Sequence, residues 1–156
     1  MMRWGLILAV IIAAGVGLWT VMALPGGGEA GLLRPADAAV VAQGQSLYAA
    51  NCASCHGEGL KGQPDWRSPG PDGLMPAPPH DESGHTWHHD DETLFRLTKL
   101  GPAAVVGGDY ESAMPAYEDM LSDEEIIAVL SYIKSTWPEE IRTRHDSLNA
   151  ARAKSK

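Results

Sequence analysis

Asn51-Cys52-Ala53-Ser54-Cys55-His56-Gly57 decides how the rest of the chain is read. Its two cysteines are the only ones in the sequence. A bare C-x-x-C can be a redox dithiol or half of a zinc site. A structural zinc site takes four protein ligands, and no further cysteine exists to complete one. A thioredoxin-like dithiol needs a βαβ context, and no strand-like alternation of any length surrounds this motif.

The pattern that uses all three side chains is C-x-x-C-H, the signal for attachment of a c-type haem. Cys52 and Cys55 are expected to add to the two vinyl groups of one haem c, and His56 to face the iron as the proximal ligand. Covalent attachment keeps the cofactor in a compartment that holds no reservoir of it.

The N-terminus places the motif in such a compartment. From Trp4 to Leu24 the chain is an apolar run in which Thr20 is the only polar side chain. As a helix it spans roughly 30 Å, the thickness of the hydrocarbon layer. Trp4 and Trp19 lie toward its ends, where amphipathic rings favour the interface. Arg3 is the only nearby charged side chain, so everything after Leu24 faces outward. The expectation is a retained transmembrane helix with a periplasmic domain. The alternative is a cleaved signal ending near Val21-Met22-Ala23, but the run exceeds an ordinary signal core. Both readings export the domain.

Outside that run the chain divides simply. Residues 25–39 are rich in Gly and Pro and read as a flexible linker with a reach of roughly 20 Å. Val40 to Asn51 reads as a helix with Val40, Val41, Gly44, Leu47 and Tyr48 on one stripe. Residues 57–79 hold too much Gly and Pro for regular structure. Asp90 is the expected N-cap of a helix running to about Leu100, with Leu94, Leu97 and Phe95 inward. Ser122-Asp123-Glu124-Glu125 is a capping box opening a helix that carries Ile126, Ile127, Val129, Leu130 and Ile133, with Trp137 near its end. The domain is therefore placed at 40–137 and a polar tail at 138–156, with a helix open as one reading of the tail, turning basic at its end. The fold class is all-α with long Gly/Pro-rich loops.

The 156 residues suffice for one domain. A single Phe among 6% aromatics suggests that a bound macrocycle supplies core area. The net charge of −8 excludes a nucleic-acid footprint and suits docking to a basic protein surface.

Haem iron has a sixth position. Met114-Pro115, in a loop before the capped helix, is the expected distal ligand, since Pro stiffens the loop that must hold the thioether. Met75, Met120 and the histidines at 80, 85, 88 and 89 are the competitors. Met/His ligation raises the reduction potential, which suits an electron carrier.

Together, Gly44-x-x-x-Tyr48, CASCHG, Met114-Pro115-Ala116-Tyr117 and Val129-Leu130-Ser131-Tyr132-Ile133 resemble the class I cytochrome c family over about Val40 to Trp137. The resemblance implies about three core helices around one haem, with Gly44 and Tyr48 meeting Val129 and Tyr132 at a right-angled helix contact. It implies electron transfer between redox protein partners, either as a membrane-tethered carrier or as an electron-transfer subunit of a larger complex. A methionine in the sixth position would leave no open site for catalysis, so no enzyme activity is expected. The middle of the chain is longer than in small soluble cytochromes. Trp66, Arg67 and Trp87 there are candidates to hydrogen-bond haem propionates. His80, His85, His88 and His89 read as a polar lid over the haem edge. The alternative is a second metal site, which would make the protein a peroxidase-like or metal-oxidising enzyme.

Overall fold

The computed structural model describes residues 31–156. The apolar run 1–24, with its expected transmembrane helix, lies outside the described residues. No helix among the described residues is long and apolar enough to cross a membrane.

Among the described residues there are six helices, one 3₁₀ turn and no strand. They are α1 (Ala38–Asn51), α2 (Ala53–His56), α3 (Asp91–Leu100), α4 (Pro102–Val106), α5 (Asp123–Ser135) and α6 (Glu139–Lys154), with the 3₁₀ turn at Thr86–His88. The starts follow their caps. Asp37 accepts from Ala39 N and Val40 N at the head of α1, and Asp90 accepts from Thr93 N at the head of α3. The Ser122–Glu125 box closes reciprocally at α5.

The core forms where α1 crosses α5. A Cβ on Gly44 would sit 1.9 Å from the Ala128 carbonyl oxygen and 2.9 Å from Tyr132 Cβ. Only glycine lets the two backbones approach this closely. The contact expected with Val129 thus falls on its neighbour Ala128, while Val129 is buried beside it. Tyr48 meets Tyr132 as expected, with ring centroids 5.5 Å apart. Ile126, Val129, Leu130 and Ile133 are almost fully buried, each contributing roughly 1.5–3 kcal/mol.

Two boundaries differ from the sequence expectation. Residues 31–37, read as flexible linker, lie along the domain as a strap. Leu33 is 1% exposed, its N–H donates to Asp91 Oδ2 at 3.1 Å, and Arg34 N–H donates to Ser131 Oγ at 2.8 Å. One apolar side chain and two backbone donors suffice to dock a strap, and no periodic pattern announces them.

The polar tail is α6, packed through polar side chains. His145 and Asn149 are buried; Asn149 donates to Asp91 Oδ1 and accepts from Asp91 N–H. His145 Nε2 lies 2.8 Å from the His89 carbonyl. A helix that docks by hydrogen bonds shows no apolar stripe.

Candidate functional site

The C-x-x-C-H motif occupies the corner between α1 and α2. His56 N–H donates to the Cys52 carbonyl at 2.9 Å, closing the turn that brings both thiols and the imidazole together. Two tyrosines brace it. Tyr48 donates to the Gly57 carbonyl and Tyr117 to the Asn51 carbonyl, each at 2.9 Å. Both thiols are free; Cys55 is exposed, and Cys52 packs against the apolar core. Burial, with Cys55 nearby, pushes the Cys52 thiol up to about 11.

His56 is 6% exposed, and its Nδ1 lies 2.8 Å from the Pro78 carbonyl oxygen. Nδ1–H is the donor that satisfies this contact, which leaves the Nε2 lone pair for a metal. Burial pulls the His56 pKa down, with the Pro78 contact opposing it, so the ring is neutral as a ligand must be. Pro78 is itself held. Gln63 N–H donates to the Ala77 carbonyl and Ala77 N–H to Gln63 Oε1, both at 2.8 Å. Gly62, at φ +66°, lies where a Cβ would strike Pro79 N at 2.5 Å. Sequence reading passed over Pro78 because 57–79 registered only as irregular. The signal was the Pro78-Pro79 pair directly before a histidine.

The methionines separate by burial. Met114 packs against the core cluster and its N–H donates to Ser112 Oγ at 3.1 Å, whereas Met75 is 40% and Met120 54% exposed. Tyr117 N–H donates to the Lys99 carbonyl at 3.0 Å, tying the Met114 loop to α3.

The four histidines of the middle segment do not converge on one point. His80 stacks on His56, with ring centroids 4.0 Å apart and planes inclined by 24°. Two imidazoles ligating opposite faces of one iron point at each other across it, so a face-to-face pair is not such a pair. His85 stacks on Trp66 at 5.4 Å, and His88 on Trp87 at 3.7 Å. His89 meets His85 edge-on at 5.4 Å. Among the described residues, no three His, Cys, Asp or Glu side chains gather as a metal site.

The propionate candidates also separate. Trp87 Nε1–H already donates to the Glu82 carbonyl at 3.3 Å. Exposed Arg67 lies 4.1 Å over the Trp66 ring and makes a long 3.4 Å contact to the Ser83 carbonyl.

This donor set fits a haem c. Two free thiols share a helical corner with an imidazole whose Nδ1 is occupied, and an apolar core with a packed methionine adjoins them. A profile of the Cytochrome c family matches residues 41–137, well over half of the chain. The chain is a class I c-type cytochrome. Membership in that family implies a covalently held haem c. Curated relatives of the cytochrome include the Cbb3-type cytochrome c oxidase subunit CcoP of Azospirillum sp. (strain B510), 33% identical over 100 residues. That alignment covers 64% of this chain and 30% of the relative. The subunit of the same name from Rhodobacter capsulatus is 32% identical over 102 residues, covering 65% and 31%. The cytochrome thus spans under a third of the length of these relatives. No solved structure matches it significantly.

Proposed function

We propose that the protein is a membrane-tethered, periplasmic electron carrier with a single haem c, ligated by His56 and Met114, and that it is not an enzyme. The observation that carries the ligand assignment is the Nδ1 contact of His56 to Pro78, joined to the burial contrast among the methionines. The sole C-x-x-C-H motif supports one haem. The apolar run 1–24 supports the tether. The partners are redox proteins. The similarity to an oxidase subunit supports one of them belonging to a terminal oxidase complex.

When bound, the haem supplies the one-electron couple. The chain's own work would be to hold it: Cys52 and Cys55 would fix it covalently, His56 and Met114 would supply the iron's two protein ligands, and the apolar core would keep water away. Two protein ligands on the iron would suit electron transfer and leave no opening for a substrate.

The ferric protein should show the weak far-red charge-transfer band of sulfur ligation. Met114→Ala should abolish that band, lower the potential and admit cyanide, while Met75→Ala and Met120→Ala should leave the band intact. Rapid cyanide binding by a natural protein that lacks the band would sink the carrier reading.

A further inference from the structure

His80 has no role in the site as described, yet it is the side chain stacked on the proximal imidazole. The Nδ1 contact to Pro78 restrains His56 at one point of its ring. A histidine χ2 is intrinsically broad, so a single hydrogen bond leaves the ring free to rock. The flat face of His80, 4.0 Å away, blocks that motion on one side.

His80 is in turn locked from several elements. Its Nδ1 lies 2.9 Å from Thr86 Oγ1, and the Thr86 hydroxyl donates onward to the Pro79 carbonyl at 3.4 Å. The His80 N–H donates to the Leu60 carbonyl at 2.8 Å, and the His80 carbonyl accepts from Trp137 Nε1 at 2.7 Å. Tyr48 of α1 approaches the ring edge-on at 6.2 Å. An aliphatic side chain could fill the same volume. A histidine adds a flat face whose rotation is set by a ring nitrogen.

We propose that His80 is a positioning residue for the haem iron: stacked on His56 and pinned by Thr86, it fixes the plane of the axial imidazole about the metal–nitrogen bond. This rests on His56 being the proximal ligand. The orientation of that plane decides how iron orbitals share charge with the porphyrin, and such outer contacts tune a metal site.

The test uses full-length protein matured with haem, read by the proton shifts of the haem methyls in the ferric state, electron paramagnetic resonance g-values and potential. His80→Ala should keep a low-spin, imidazole-ligated iron but redistribute the methyl shifts and move the g-values. His80→Phe, which keeps a flat face, should restore most of the natural pattern. Thr86→Val should shift it in the His80→Ala direction by less. If His80→Ala does not mature, the contrast of Thr86→Val with His80→Phe decides. Unchanged shifts and g-values in His80→Ala, or in Thr86→Val where the former is lost, overturn the proposal. So does a His80→Phe pattern as displaced as that of His80→Ala. Failure of the ligand reading looks different: the natural protein would itself lack a low-spin imidazole signature, or keep it in His56→Ala.

Discussion

At the scale of single residues, absence of a side chain matters as much as presence. Gly44 lets α1 touch the backbone of α5, so Gly44→Ala must push the helices apart. A loss of at least about 1–3 kcal/mol is expected, read as a lower urea midpoint. The thiols behave differently. Replacing both Cys52 and Cys55 with Ala should abolish the haem mass that otherwise survives denaturation, and mass spectrometry of exported protein reads this directly. The sequence alone proposes both cysteines and His56, because the attachment chemistry demands those residue types at that spacing. Pro78 was not legible there, since it contributes a carbonyl, and any residue has one. What proline adds is a fixed backbone, which sequence records only as loop.

Among the elements, α5 was legible for a simple reason: it buries an apolar face, and an apolar face leaves a period. By contrast, α1 buries only Gly44 and Tyr48 and leaves Val40, Val41 and Leu47 half-buried. The strap at 31–37 and α6 were not legible, because their docking runs through Asp91, Asn149 and His145. Asn149→Ala should cost about 1.5–3 kcal/mol, since it strips a donor from a buried carboxylate, and native-state hydrogen exchange should localise the loss to α6 and the strap. His145 gives this clasp a pH dependence. Burial, with Lys134 adding to it, lowers the His145 pKa despite Asp91, the His89 carbonyl and Asp146. An unfolded histidine titrates near 6.5, so below that pH the unfolded chain binds a proton the native one refuses. The His145 contribution is therefore complete above about pH 6.5 and declines as pH falls toward its lower native pKa. Urea midpoints between pH 7.5 and 5.5 should drop in the natural protein and drop less in His145→Gln.

For the whole molecule, the surplus of carboxylates sets how it meets other proteins. With a net charge of −8, association with a basic redox partner should slow as salt rises from low to physiological strength, while the internal electron-transfer rate stays constant. Stopped-flow at two ionic strengths separates the two. The tether predicts that the protein sediments with membranes and is released by detergent but not by salt. The strap changes what such a tether means. Leu33 and Arg34 fasten the chain to the domain, so only the stretch 25–30 remains between the apolar run and the docked segment, spanning at most about 20 Å fully extended. If the apolar run spans the membrane as proposed, a leash that short would confine the haem domain to a thin shell over its own patch of bilayer. Electron delivery to a neighbour in the same membrane would then be a two-dimensional encounter, second-order in surface density and indifferent to dilution of the periplasm.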